Sequence, residues 1–290
     1  MNWWYALIDI LPSTAWLEPI FMRNALLAII LAAPLFGGMG SFVVSNRMAF
    51  FSDAIGHSAL TGVAIGLLIG IKDPVFSMIL FSLFLGFAII SVKTKGKAST
   101  DSIIGVFSST ASALGIVLLS STGNFSKYQK YLIGDILSIK PEEILLLAFA
   151  LILALLIWIF LYNKMLLSNL HRTFAKSRGI KVFAIEQIFA MLTALVVTVS
   201  IEWTGLLMIN SLLVLPASSA RLISKSSKNY LLFSVLISLV SSVTGLAVSF
   251  YMGSASGATI VLVNAIIFLA VFVISGLPSV KKQSPNIPAK

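Results

Sequence analysis

The 290-residue sequence contains no cysteine, which excludes disulfide bonds, thiolate metal sites and cysteine nucleophiles. Charged residues are also scarce, at 10% of the chain, whereas soluble proteins carry about 25%. So few charges do not cover a globule with a water-compatible surface, and a soluble enzyme is therefore excluded. A disordered protein is excluded as well, because disorder requires many charges and few apolar residues.

Apolar residues are abundant instead, at 58% of the chain with a mean hydropathy of +1.03. About 20 such residues in a row cross the hydrocarbon core of a membrane as a helix. We therefore predict an all-α polytopic membrane protein with eight or nine transmembrane helices in one domain over residues 1–280. The eight candidate spans are 24–45, 50–70, 74–92, 102–120, 142–162, 182–201, 204–223 and 230–251, and a ninth apolar stretch covers 257–277.

The net charge of +10 does not indicate a nucleic-acid partner, because the basic residues form short clusters between apolar stretches. With nine spans and a cytoplasmic C-terminus, 15 of the 20 Lys and Arg residues fall on the cytoplasmic side. The opposite topology reverses that ratio, so the positive-inside rule favours the first. The tryptophan-rich segment 1–19 is predicted to lie at the lipid–water interface, and the basic tail 281–290 to be disordered.

Asp53 and His57 are the candidate metal residues, because both fall inside a predicted span. An ionisable side chain at the centre of a membrane helix costs about 2.5–3.5 kcal/mol, so such residues usually have a function. Their i, i+4 spacing places a carboxylate and an imidazole on one helix face, where they can share a cation. This pair suits zinc, manganese or ferrous iron. One chain supplies two ligands, and two facing copies supply four. The alternative is an Asp–His hydrogen bond that only joins helices.

The same helix carries other small and polar residues. Thr61 continues the stripe of Asp53 and His57 and is a candidate for lining the path of the ion. A ridge of small residues at four-residue spacing is predicted to pack against a neighbouring helix. The ridge consists of Ser58, Gly62, Gly66 and Gly70.

Asn210 and Pro216 also lie in apolar spans and are candidates for lining the path. For Asn210, and for Asn264 in a later span, an interhelical hydrogen bond is the favoured interpretation. Pro216 lacks a backbone donor and is predicted to bend or break its helix. A broken helix beside a transport path exposes carbonyl groups to it, although a plain kink has the same sequence signature.

The sequence contains no G-x-x-x-x-G-K-[ST] motif, so the chain does not bind ATP by a P-loop. A chain with an intramembrane cation site and no nucleotide motif must take its energy from elsewhere. The basic segment 163–181 contains a short predicted helix that ends at Gly179, and this helix is suited to act as a lever for a partner. An ordinary solvated loop is the alternative, because basic cytoplasmic loops are common.

Five stretches of the sequence match one known protein family. The first to be noted is NRMAFFSDAIGHSALTGVAIG at 46–66. The other four are FMRNALLA (21–28), YLIGDIL (131–137), TGLLMINSLLVLPASSARLI (204–223) and SGATIVLV (256–263). In these stretches, which follow one another in order along nearly the whole chain, the sequence resembles the permease subunits of bacterial zinc and manganese ABC importers. The segment at 46–66 is the most specific, and the other four are individually less so.

This resemblance implies a permease of the metal, cobalamin and siderophore importer type in the bacterial inner membrane. It implies a second permease copy, cytoplasmic ATPase subunits that alone bind ATP, and an external metal-binding protein, with a transported divalent ion and no permanent cofactor. Asp53 and His57 match the family's metal-path positions. The segment around FAKSRG aligns with the family's ATPase-coupling segment, although Arg172 and Lys176 stand where acidic residues are expected. The coupling residues carried over are Arg172, Phe174, Ala175, Lys176 and Gly179.

Two other functions are consistent with parts of the sequence. A proton-driven secondary carrier could use Asp53 and His57 without an ATPase. An intramembrane serine protease could pair His57 with Ser52 or Ser58, but no nucleophile elbow or oxyanion context supports it. The sequence therefore favours a transport subunit that is not itself an enzyme, with zinc ahead of manganese and iron.

Overall fold

The structure, a computed structural model, describes residues 15–71, 73–95, 98–121 and 134–276. Within these ranges every long element is an α-helix, so the predicted fold class is confirmed. Most of the predicted interfacial segment 1–19 and all of the tail 281–290 lie outside the described residues. Two short 3-10 turns, Ala15–Leu17 and Ile136–Ser138, accompany the α-helices. The helices are α1 (Ile20–Ser45), α2 (Phe51–Ile69), α3 (Pro74–Lys95), α4 (Thr100–Ser121), α5 (Pro141–Leu170), α6 (Arg172–Ser177), α7 (Val182–Ile223), α8 (Ser227–Met252) and α9 (Ser256–Gly276).

Eight of these helices are long and apolar enough to cross a membrane, and α6 is too short. Each predicted span from 24–45 to 142–162 coincides with one helix, as do 230–251 and 257–277. The two spans 182–201 and 204–223 instead belong to one continuous element, α7, which is 42 residues long. A straight helix of that length measures about 63 Å, roughly twice the hydrocarbon thickness.

Helix α7 reverses direction at Gly205, the residue inside it that has non-helical backbone angles, with φ 69° and ψ 160°. A straight helix would separate Phe189 from Leu213 by about 36 Å. The two residues nevertheless contact the same part of α1: the Phe189 ring lies 6.1 Å from that of Phe42, and the Leu213 carbonyl oxygen touches Gly40. The two arms of α7 therefore pack against the same part of α1, as the two separate spans predicted at 182–201 and 204–223 would.

The backbone angles of Gly205 explain why glycine occupies the turn, since a positive φ is unfavourable for other residues. Gly134 also has a positive φ, and its Cα lies against the backbone of Thr204 and Gly205. Pro216 is predicted to bend or break its helix; the break is wrong, because the backbone angles stay helical through that residue, and the bend stays a prediction. Gly205 rather than Pro216 interrupts the helix, because only Gly205 adopts angles outside the helical region.

The helices pack through small residues. A Cβ at Gly37 of α1 would lie 2.7 Å from the Ser234 carbonyl oxygen of α8, and the Ser234 hydroxyl donates a hydrogen bond of 2.5 Å to the Gly37 carbonyl oxygen. The predicted interhelical bond of Asn264 is confirmed, since its Oδ1 accepts a hydrogen bond of 2.8 Å from Ser241. Such contacts let backbones approach closely, which is how membrane helices associate without a hydrophobic driving force.

The outer surface of the bundle is apolar. Large side chains on α5 and α9 are more than half exposed, among them Phe160 at 75% and Ile266 at 65%. A soluble protein does not expose apolar surface continuously along whole helices. Together with the length of the helices, this surface is that of a multi-pass membrane protein.

Candidate metal site and coupling segment

Asp53 lies in the first turn of α2, which follows a tight turn at 46–50. Arg47 in this turn has a positive φ of 55°, and the Phe51 amide donates to the Met48 carbonyl oxygen at 2.9 Å. A carboxylate at a helix N-terminus is stabilised by the helix dipole by about 0.3–1 kcal/mol or more when partly buried. The local fold therefore offsets part of the cost of placing a charge at this point of the chain.

Asp53 and His57 face each other as their spacing predicts. His57 Nε2 lies 3.5 Å from Asp53 Oδ1 across one helical turn. The side chains of His57 and Asp53 are 38% and 40% exposed, respectively. Every other residue from 51 to 64 is buried, so Asp53 and His57 are the only accessible side chains in this stretch of α2.

Asn210, on the second arm of α7, completes the polar cluster. Its side-chain amide donates a hydrogen bond of 2.7 Å to Asp53 Oδ1. This assignment of the amide follows from chemistry, because the NH₂ group and not the oxygen is attracted to a carboxylate. The Asn210 oxygen is buried and has no hydrogen-bond partner among the described residues. The interhelical hydrogen bond predicted for Asn210 is therefore formed, and its acceptor is the candidate metal residue Asp53.

The other residues predicted beside the pair lie elsewhere. Thr61 is fully buried, and its hydroxyl donates to the Ala111 carbonyl oxygen of α4, so it joins α2 to α4 and does not line the opening. Pro216 is buried in the second arm of α7. The structure therefore brings together Asp53, His57 and Asn210, whereas Thr61 contacts α4. The path-lining role of Pro216 stays a prediction.

The small-residue ridge of α2 divides into two kinds of position. A Cβ at Gly62 would lie 2.8 Å from the Ser77 carbonyl oxygen of α3, and one at Gly66 would lie closer still to the Ser77 side chain. Ser58 is fully buried and donates to the Ile55 carbonyl oxygen. Gly70 differs, because no atom outside its immediate neighbours lies near it and it ends α2 with a φ of 86°. Its function is to terminate the helix, not to pack.

The segment 163–181 contains the predicted short helix, α6. Ala175 is fully buried, whereas Phe174 is 47% exposed and lies beneath the Arg178 guanidinium at 4.9 Å. Gly179 follows with a φ of 74° and open space around it. Lys176 is exposed near the end of the helix. The segment thus presents an aromatic side chain and several cations on a surface anchored by one buried alanine.

Glu186, in the first turns of α7, forms ion pairs that the sequence pattern does not predict. Its carboxylate is 3.1 Å from Arg172 Nη2 of α6 and 3.6 Å from Lys93 Nζ of α3. An acidic residue near the start of an apolar span was the available signal. Its partners are distant in sequence, so spacing alone does not reveal them.

The cluster of Asp53, His57 and Asn210 lies half-exposed in a bundle of apolar helices, a position in which ionisable groups commonly mark ion pathways. Comparison with known proteins gives the particular class. The model of the ABC 3 transport family matches residues 19–275, and the chain belongs to this family. The family resemblance inferred from the sequence is thereby confirmed.

Individual relatives cover most of the chain. The high-affinity zinc uptake system membrane protein ZnuB of Haemophilus influenzae is 29% identical over 254 residues, which are 87% of this chain and 95% of that protein. The manganese import system permease protein ScaB of Streptococcus gordonii is 31% identical over 255 residues, or 88% and 91%. Among solved structures, PsaBC from Streptococcus pneumoniae in complex with Fab matches with a TM-score of 0.77 and 27% identity, covering 92% of this chain and 95% of that one.

Proposed function

We propose that this chain is the membrane-spanning permease subunit of an ATP-driven importer of a divalent transition metal, zinc first and manganese second. The observation that carries the proposal is the cluster of Asp53, His57 and Asn210. Carboxylate and amide oxygens together with an imidazole nitrogen are ligands that both zinc and manganese accept. The names of the zinc and manganese relatives support the same pair of ions.

A second copy of the chain completes the site in this proposal. Among the described residues, no group of three or more His, Asp or Glu side chains could hold an ion. Asp53 and His57 are open on one side, and two copies facing each other would supply two carboxylates and two imidazoles. Four ligands satisfy a tetrahedral ion, and water can complete a larger shell. The site would then lie on the axis between the copies, where it can open to either side of the membrane.

The energy comes from separate ATPase subunits, and an external metal-binding protein delivers the ion. The absence of a P-loop in the sequence supports the first part of this proposal. The coupling segment is α6 with its flanking residues. Its exposed Phe174 and its cations are suited to a groove on a partner with acidic and apolar walls.

Metal binding by purified permease tests the site. Asp53→Asn removes the negative charge of the carboxylate and His57→Gln removes the imidazole nitrogen, both with little change in size, so each should lower the affinity for zinc and manganese at least tenfold. The matched controls are Asp101→Asn and His171→Gln, which change an exposed carboxylate and the other histidine of the chain. Wild-type affinity in both Asp53→Asn and His57→Gln would reduce the pair to a contact between helices.

Reconstitution in liposomes tests the source of energy. We expect ATP-dependent metal uptake when the permease is assembled with its ATPase subunits and binding protein, and no uptake by the permease alone. Proton-dependent uptake by the permease alone would instead support the secondary carrier. The match to the ABC 3 transport family favours the ATP-driven function.

A further inference from the structure

The Glu186 carboxylate lies between two cations that come from two other helices. Its Oε1 is 3.1 Å from Arg172 Nη2 at the start of α6, and its Oε2 is 3.6 Å from Lys93 Nζ near the end of α3. Glu186 itself belongs to the first turns of α7. One side chain therefore joins the coupling segment to two membrane helices.

The two ion pairs differ in burial. The side chains of Lys93 and Glu186 are each 12% exposed, whereas that of Arg172 is 51% exposed. Removing one partner of a buried ion pair strongly destabilises the folded protein, because the other charge is left desolvated. An exposed pair forms and breaks at little cost. The Lys93–Glu186 pair is thus the fixed part of the network, and the Arg172–Glu186 pair is the part that can break when α6 moves.

Lys93 extends the network to the helix that carries the candidate metal residues. Its Nζ lies 3.6 Å from the sulfur of Met48, which is 3% exposed in the turn before α2. The Met48 carbonyl oxygen accepts the hydrogen bond from Phe51 that begins α2. Asp53 follows within the same turn of helix. A continuous series of contacts therefore runs from α6 through Glu186 and Lys93 to the N-terminus of α2.

We propose that Glu186 is a positioning residue that couples the movement of α6 to the opening of the Asp53–His57 site. The inference rests on the proposed function, since it takes α6 as the segment that contacts the ATPase. When the ATPase displaces α6, the Arg172–Glu186 pair breaks, and the Glu186 carboxylate is left to Lys93 alone. Lys93 and Met48 then shift the first turn of α2, so the candidate metal residues change position relative to the second copy. Energetic coupling over such distances requires packed or hydrogen-bonded groups with two arrangements, and a half-exposed ion pair provides them.

The test uses the complete transporter in liposomes and measures metal ions imported per ATP hydrolysed. Glu186→Gln keeps the shape of the side chain and removes its charge, and we expect the ratio to fall at least tenfold while ATP hydrolysis continues. Glu186→Asp keeps the charge and should recover part of the ratio, which a merely structural role of side-chain size would not produce. The matched control is Glu142→Gln, which removes an exposed carboxylate at the opposite end of α5 from α6.

A second variant keeps the inference testable if Glu186→Gln does not fold. If Glu186→Gln fails to accumulate in the membrane, the double variant Lys93→Met, Glu186→Gln removes both buried charges and is measured in its place. A wild-type ratio of ions to ATP in either variant would overturn the inference. Failure of the proposed function has a different signature, because the wild-type assembly itself would then show no ATP-driven metal uptake.

Discussion

The oxygen of Asp53 that faces His57 is the same oxygen that accepts the hydrogen bond from Asn210. The distances are 3.5 Å to His57 Nε2 and 2.7 Å to Asn210 Nδ2, both measured to Asp53 Oδ1. Two contacts from different helices thus fix the orientation of one carboxylate. The Asn210 oxygen is left buried and without a hydrogen-bond partner in the part of the chain that the structure describes.

Replacing Asn210 by leucine tests this arrangement. Asn210→Leu keeps the approximate volume but removes the donor to Asp53 and the unpaired oxygen. Loss of a residue that orients a metal ligand typically costs 10–100-fold in affinity, and we expect a decrease of that order for zinc or manganese, measured by titration of purified protein. Asn264→Leu is the control, because it removes a buried amide between α8 and α9 instead. Equal losses of affinity in both variants would indicate a general effect on packing.

Much of the fold could be predicted from the sequence because membrane spans depend on composition over about 20 residues. The i, i+4 spacing of Asp53 and His57 likewise requires only a continuous helix to bring the two together. Both inferences are local. They do not depend on which helices become neighbours, and the observed 3.5 Å between Asp53 and His57 agrees with the spacing.

The contacts between distant segments could not be predicted in the same way. The bond from Asn210 to Asp53 joins residues 157 positions apart, and nothing in either segment specifies the other. Glu186 finds its partners on α3 and α6 for the same tertiary reason. Thr61 has the right spacing for the open stripe, but packing against α4 buries it. The sequence around Gly205 does not distinguish it from a glycine inside a continuous helix. Pro216 is the stronger sequence signal for a helix break, yet its backbone is helical.

The reversal of α7 predicts a large effect of a methyl group at Gly205. Gly205→Ala would place a side chain on a backbone with φ 69° and ψ 160°, a conformation whose strain costs about 1–3 kcal/mol for a non-glycine residue. We expect a lower melting temperature for purified protein in detergent. Gly105→Ala is the matched control, because no atom lies within 4 Å of the added Cβ and its φ is not in the left-handed region. A melting temperature unchanged by Gly205→Ala would contradict the reversal.

The contact between α1 and α8 predicts that Gly37→Ala lowers the stability of the folded protein more than Ser234→Ala does. Gly37→Ala introduces a Cβ only 2.7 Å from the Ser234 carbonyl oxygen, and overpacking of this kind costs about 1–3 kcal/mol. Ser234→Ala removes the hydrogen bond to Gly37, and interhelical bonds in membranes average about 0.6 kcal/mol. Unfolding titrations in mixed detergent should rank the variants in that order. Ser91→Ala, which loses only a bond to Phe87 within α3, should lie near the wild type.

The topology predicts which single cysteines a membrane-impermeant maleimide reaches in intact cells. Because the chain has no cysteine of its own, one substitution gives one label without background. With the C-terminus in the cytoplasm, Ser254→Cys in the turn between α8 and α9 should react from outside the cell. Ser177→Cys at the end of α6 should react only after the membrane is permeabilised. Glu186, Lys93 and Arg172 would then lie on the cytoplasmic side, where an ATPase can act on them. The reverse labelling pattern would place α6 outside and exclude it as a coupling segment.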